Sequence, residues 1–421
     1  MLLERIHLVI EQVVFDSESY IKDKVLHISK QDLENVAADE AFSKIEFELA
    51  CPGEKCRIVN MGDIVQPAIK LGEGESTFPG VVDKLGIVGS GSTLMLDGVV
   101  ISETVEVKLP LASMMETSEA VAEMTDFAKM IHIVIDAFPG EGVSKESYMD
   151  ALHKASKRLA KFLASLAMGL EADYTENFTL ECDGLDGLPK IAYLANLFCH
   201  APYQETTVYG GGMIDSLPTI IHPNEILDGA LTNKNYNNSI NADPTFVWQN
   251  HPIILDLYSR HGKDLNFVGV VLNNAHHIVE TKQRNASMAA ALVAKQLKAE
   301  GVIITKEGGG HPQVDVGFET DILEGKYGIK TSILFTEFLS PNNDSNGQLL
   351  IKTKHADAIV STGCFTIVEF PPVDKVIGHI PQIAADGKPQ SDLSGTLAIK
   401  NRTLQGCESQ LGWTYYGSQK F

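Results

Sequence analysis

The chain has 421 residues, enough for two or three domains, and its 44% apolar and 21% charged residues suit a folded protein with a sizeable core. A formal net charge of −21 argues against nucleic acid and against an anionic membrane surface, since both reward clustered Lys and Arg. No apolar run approaches the roughly 18–20 residues that span a bilayer, and the start MLLERIHLVIEQ, with Glu4 and Arg5 early, does not read as a secretory signal. Six cysteines in so long a chain do not read as a disulfide framework, and Cys51 and Cys56 have no second Cys or His pair nearby to complete a zinc site. The expected compartment is the cytoplasm.

Residues 1–125 read as a β-rich N-terminal domain. Leu8-Val9-Ile10, Val13-Val14-Phe15 and Val25-Leu26-His27-Ile28 are β-branched runs broken by polar turns. The glycine-rich stretch Gly86 to Ser92 leads into TLMLDGVVISE, which predicts a hairpin turning at Asp97-Gly98. With no helix behind it, the stretch offers no helix N-terminus to a pyrophosphate. GEGEST at 72–77 lacks the GK[ST] ending of a Walker loop, and no GxSxG elbow occurs.

Residues 126–262 read as an α/β unit. Ile131 to Asp136 is a buried-type strand. Leu152, Leu159, Phe162, Leu163 and Leu166 give Ser144 to Leu170 a helical spacing, with Ser144 and Ser147 as caps. Pro189 to Asn196 is another strand, and Pro252 to Tyr258 a helix flanked by His251 and His261, both read as structural.

Residues 263–421 alternate strand and helix most clearly. Leu265–Leu272, Gly301–Thr305, Thr331–Thr336 and Ala358–Thr362 are predicted strands, and Asn285–Lys298 and Val314–Glu324 predicted helices. The fold class is therefore α/β, a β-rich domain followed by two open, mostly parallel, doubly wound units. Ligands in such sheets sit beyond the carboxyl ends of the strands. That rule points to the loop Asn273-Asn274-Ala275-His276-His277, the loop Glu307 to Asp315, and the loop opening at Glu337.

Several long blocks then carry a family resemblance: FPGVVDKLGIVGSGST at 78–93, PTIIHPNEILDGA at 218–230 and ADPTFVWQNHPIILDLYSRHGKDLNFVGV at 242–270. AEGVIITKEGGGHPQVD at 299–315 and PPVDKVIGH at 371–379 continue it. Over nearly its full length the chain resembles the precursor subunit of component B of glycine, sarcosine and betaine reductases, and is related to the D-proline reductase precursor. The resemblance implies a heteromeric enzyme of amino acid metabolism that cleaves a C–N bond of a small amine. In that family the precursor cleaves itself at an Asn-Cys bond, the cysteine becoming a pyruvoyl group. The ketone takes the substrate amine as a Schiff base, and a partner subunit's selenolate attacks the α-carbon.

This chain departs from the pattern where the processing site belongs. The interval 232–241 reads Thr-Asn-Lys-Asn-Tyr-Asn-Asn-Ser-Ile-Asn, without cysteine. Asn235-Tyr236 stands in the register of Asn-Cys, and a tyrosine cannot give a pyruvoyl by acyl shift and β-elimination. Ser239 can support that chemistry but is displaced by three residues. The expectation is a chain without pyruvoyl, whose Asn233 to Asn241 form a polar loop.

Other chemistry must then come from the strand-end loops. His276, His277, His311 and Glu307 are candidate acids and bases, with Tyr236 counted beside them for its position. His200, Tyr209, Gly309, Gly310 and Asn274 are candidate substrate contacts, and Tyr203 and His222 lie in the same middle segment. Imidazoles and a carboxylate at His277, His311 and Asp315 are a candidate set for zinc or iron(II). Three readings follow. A component-B-like subunit would copurify with a Cys- or selenocysteine-bearing partner. A metal-assisted hydrolase of an amide or cyclic nitrogen compound would hold metal. A binding or scaffold subunit would bind ligand without turnover.

Overall fold

The structure, a computed structural model, describes residues 1–72, 74–106, 113–181, 184–201, 204–235, 242–337, 353–385, 388–413 and 419–420. It is a mixed α/β fold of several sheets, with no closed barrel among the described residues.

The N-terminal half supplies two four-stranded sheets. The elements in chain order are β1 (Leu2–Val9), β2 (Phe42–Ala50), β3 (Met61–Val65), β4 (Ala68–Leu71), β5 (Gly91–Asp97), β6 (Val99–Val105), β7 (Ile131–Pro139), helix α1 (Lys145–Ser165) and β8 (Tyr174–Thr179). One sheet runs β8-β1-β5-β4, the other β2-β7-β6-β3. The Asp97-Gly98 turn is as expected, with Gly98 at φ +80°, but it makes no hairpin. Its two strands enter different sheets, so the turn is a corner: the Asp97 carbonyl accepts from Ile10 N and the Gly98 carbonyl from Ile131 N, each at 2.9 Å.

Strand β7 shows why these sheets close on a helix. Ile131, Ile133, Ile135 and Ala137 alternate onto one face and pack against Tyr148, Leu152, Leu159 and Leu163 of α1. Ser144 caps that helix by accepting from Ser147 N at 3.1 Å. Each fully buried leucine of the stripe stabilises the fold by about 2 kcal/mol.

The second half is organised by one large sheet. Its elements are β9 (Lys190–Ala201), β10 (Gln204–Val208), β11 (Thr219–Ile221), β12 (Leu231–Asn235), β13 (Asn266–Ala275), α2 (Val279–Ala291), β14 (Gly301–Lys306), α3 (Pro312–Ile322), β15 (Lys330–Glu337) and β16 (Ile359–Cys364). The order is β11-β13-β9-β14-β15-β16, with Gln419–Lys420 on the far edge. Strands β13, β9, β14, β15 and β16 are mutually parallel. Helix α2 starts six residues before the expected Asn285, because its first turns are polar and only its later, alanine-rich part shows a helical face. Strand β7 pairs with β2 and β6, whereas β9 lies between β13 and β14. Strands expected in one central unit thus belong to two sheets.

Candidate functional site

Register brings the carboxyl ends of three parallel strands to one edge. Phe198 lies opposite Ala275, and Asn196 is flanked by Asn273 and Lys306. The residues that follow each strand therefore meet. His200 ends β9, His276 and His277 follow β13, and His311 precedes α3. The His200 and His311 rings stack with centroids 4.5 Å apart, and their Nε2 atoms face each other in a hydrogen bond. His277 stands edge-on to His200 at 6.3 Å and stacks on His276 at 4.7 Å. The convergence expected of these loops is present, and His200 is at its centre.

Burial and the neighbouring cations favour the neutral form of His200, His276 and His311. Desolvation, Lys282 and the other imidazoles push His311 down to about 4. His200 and His276 are lowered by desolvation first and by His277 next. These three thus offer imidazole nitrogens rather than imidazolium. His276 uses its Nδ1 to accept from Ile278 N at 3.0 Å. His311 Nδ1 is buried without a hydrogen-bond partner.

Three acids lie beneath the pole, all fully buried. Glu307 accepts from Phe198 N and Thr206 Oγ1, both at 2.8 Å. Burial pushes its carboxyl up to about 8. Glu319 accepts from the side-chain amides of Asn196 at 2.8 Å and Asn273 at 2.7 Å, and burial pushes it likewise to about 8. Asp315 is ion-paired with the buried Lys282, and desolvation outweighs that pull to put it at about 7. Of the candidate ligands, His277 and His311 gather around His200, whereas Asp315 faces Lys282 and keeps one buried oxygen unpartnered.

Thr206 leads from this pole to a second polar cluster. It lies opposite Asn233, because β10 pairs antiparallel with β12. Asn233 to Asn235 are therefore strand rather than the start of a polar loop, while the rest of that expected loop, with Tyr236 and Ser239, and Tyr203 lie outside the described residues. On the other side of β12, Thr245 Oγ1 accepts from Asn233 N at 2.9 Å and donates to Asp63 at 2.5 Å. Asp63 also receives Lys157 Nζ at 2.7 Å. Lys157 reaches Glu103 at 3.3 Å and His153 Nδ1 at 2.9 Å, and His153 Nε2 lies 3.3 Å from Thr232 Oγ1. Burial and then Lys157 drive His153 well below the usual histidine range. None of Asp63, Glu103, His153 or Lys157 was singled out from the sequence. The available signal was His153 and Lys157, one turn apart on the apolar stripe of α1.

Comparison with known proteins matches residues 1–419 to the family of glycine/sarcosine/betaine reductase component B subunits. The chain belongs to that family. Glycine reductase complex component B subunits alpha and beta of Acetoanaerobium sticklandii are 31% identical over 98% of each chain. The protein of the same description from Peptoclostridium acidaminophilum is 28% identical over the whole of both. The sarcosine reductase complex component B subunit alpha of that organism is 31% identical over 91% of this chain and 90% of its own. No solved structure matches. The chain is thus a component-B-like subunit, and neither the hydrolase nor the scaffold reading is favoured. No described helix is long and apolar enough to cross a membrane.

The remaining candidates lie around the imidazole pole or away from it. Asn274 donates to the carbonyls of Met213, Ile214 and Ser216 at 2.8–3.1 Å and accepts from Asn285, so it fixes the 213–216 loop. Tyr209 lies away from the imidazoles and donates to Glu225. It borders a buried centre where two resemblance blocks meet: Asp228 accepts from Gly89 N at 2.7 Å, Thr93 Oγ1 at 2.5 Å and Lys70 Nζ at 2.5 Å. The glycine-rich stretch therefore binds an aspartate of its own chain. Gly309 and Gly310 lie in the turn to His311, with Gly310 at φ +81°. His222 caps the turn at Asn224, and His251 and His261 are structural, bonded to Tyr193 and to the Glu181 carbonyl.

Proposed function

We propose that this component-B-like subunit binds a small amine or amino-acid-like compound at the imidazole pole. There it promotes cleavage of a C–N bond without a pyruvoyl group of its own. The identity of residue 236 carries this reading. Strand β12 ends at Asn235, and the next residue in the chain is Tyr236. Its hydroxyl sits on a ring, not on Cβ, so no acyl shift and elimination can turn it into a ketone. Without an amine-capturing ketone, the nitrogen must be cationic while bound to carbon and leave as the neutral amine when the C–N bond breaks. With their rings neutral, His200 and His311 are placed to accept from a substrate ammonium and orient it for departure. The attacking thiolate or selenolate forms its bond to carbon as the C–N bond breaks. It would come from a second, Cys- or selenocysteine-bearing subunit, consistent with relatives named as parts of reductase complexes. A cytoplasmic setting suits such a complex.

The test is to coexpress the chain with its partner, take an intact mass, and measure amine release from glycine, sarcosine and betaine. One unmodified chain that releases amine is the expected result. Two fragments split within 236–241, with a carbonyl-blocked second piece, would restore the family's ketone route.

A second reading has a specific observation behind it. Two neutral Nε2 atoms converge while His311 Nδ1 lacks a partner, a disposition that also suits zinc or iron(II) on His200 and His311 with His277 beside them. Metal analysis of the purified complex decides it. Stoichiometric metal that disappears in the His200→Ala/His311→Ala double variant favours this reading; a metal-free active complex removes it.

A further inference from the structure

Away from the cleft, the described residues contain one set of three ligand-type groups whose donor atoms lie within 4.8 Å of one another: Glu46, Asp136 and His379. Glu46 on β2 and Asp136 on β7 are direct cross-strand partners, and Thr104 on β6 continues the row. Asp136 is buried and accepts from Thr104 Oγ1 at 2.9 Å. Its other oxygen lies 2.6 Å from His379 Nδ1. His379 Nε2 is 4.0 Å from Glu46. A third carboxyl, Glu106, accepts from His379 N at 3.0 Å, lies 3.9 Å from the ring and contacts Asp136.

Among the described residues no lysine or arginine is ion-paired with Asp136 or Glu106, whose ion-pair partner is His379. Like charges directly across a sheet repel, and here Glu46, Asp136 and Glu106 are adjacent. Lys44 and Lys375 are engaged at the rim, Lys44 with Glu46 at 2.5 Å and Lys375 with Glu48 at 2.6 Å. Neither reaches the buried Asp136–Glu106 contact. Glu106 and Asp136 lie in hydrogen-bond contact beside the same imidazole, which gathers their oxygens at one point.

His379 is delivered to this row by a fixed backbone. Lys375–Ile377 runs parallel to Cys56–Val59, and Gly378 follows at φ +99°. A Cβ on Gly378 would stand 1.5 Å from the Val59 carbonyl oxygen, so only glycine allows the chain to pass. The last resemblance block, PPVDKVIGH, thus ends by placing an imidazole over two carboxylates. The ring is 52% exposed, which leaves a path from solvent.

We propose that Glu46, Asp136 and His379, with Glu106 beside them, form a divalent-cation site that fastens the 375–379 segment onto the sheet β2-β7-β6-β3. Carboxylate oxygens with one imidazole nitrogen suit Mn²⁺ or Zn²⁺. This site is independent of the amine-binding cleft.

The experiment titrates Mn²⁺ into the chelator-treated full chain, read by electron paramagnetic resonance and thermal melting. One saturable equivalent at submillimolar Mn²⁺ is expected, with a raised melting temperature and a nitrogen modulation that His379→Ala removes. Asp136→Asn should weaken binding at least about tenfold. Glu46→Gln, at the half-exposed rim, gives a second variant should Asp136→Asn fail to fold. The His200→Ala/His311→Ala variant should bind Mn²⁺ unchanged. Absence of saturable binding overturns the proposal, as does binding indifferent to Glu46, Asp136 and His379. Loss of binding in the His200/His311 variant would move the cation to the cleft and likewise overturn it.

Discussion

The two polar clusters on either side of β12 are built on opposite plans. Beneath the strand, Asp63, Glu103, His153 and Lys157 are each no more than 2% exposed, and one ammonium serves both carboxylates and the imidazole. At the sheet edge, His200 and His311 are half-buried, His277 is exposed, and the rings face chiefly one another. Burial compensated by pairing makes the first cluster a structural lock, because any member left alone would be an unpaired charge in an apolar setting. Incomplete satisfaction makes the second a place where something else can bind. The contrast separates what holds β12 from what can act on a ligand.

The harshest way to break it is Lys157→Met. This leaves Asp63 and Glu103 buried without their cation and should cost about 3–5 kcal/mol, read from urea denaturation. A loss below about 1 kcal/mol would mean that the two carboxylates are not held as ions, and the lock would have to be assigned to packing alone. The double variant His200→Ala/His311→Ala should behave in the opposite way. Its stability should stay within about 1 kcal/mol of wild type. Its amine release in the assembled complex should fall roughly 10²- to 10⁴-fold, the range of a lost acid–base group. If stability falls and activity does not, the pole is framework and the comparison inverts.

The sequence showed one of these clusters and hid the other, for a physical reason. His276, His277 and His311 sit in loops after strands whose apolar runs are plain, so the parallel-sheet rule places them at one edge without knowledge of contacts. The centre of the cluster was harder to see. His200 ends β9, which precedes β13 by more than sixty residues in the chain yet lies between β13 and β14 in the sheet. Local periodicity does not encode strand order. The lock draws Asp63, Glu103, Lys157 and Thr245 from four separate elements, each bland in its own neighbourhood. The Asp97-Gly98 corner failed in the same way: turn chemistry predicted the bend, while the sheets its strands join depend on distant partners.

Glu307 sits between the two clusters, and its titration gives the finest test of which one it belongs to. Burial lifts it to about 8, whereas an unfolded chain holds glutamate near about 4.3. The folded protein therefore keeps a proton that the unfolded chain gives up. The stability this contributes is fully present below about pH 4.3 and drains away as pH climbs toward about 8. Glu307→Gln removes the titration but keeps the shape: its carbonyl can accept from Phe198 N while its amide donates to Thr206 Oγ1. At about pH 5 the variant should lie within about 1 kcal/mol of wild type. Between about pH 5 and pH 8 wild type should lose ground to it steadily. Glu319 has the same direction of shift but is present in both proteins, so it cancels from the difference. Parallel stability curves would mean that Glu307 is ionised in the fold, held by its donors as the lock is held by Lys157. Diverging curves make it a neutral acid beneath neutral imidazoles, a proton source that the imidazoles themselves do not supply.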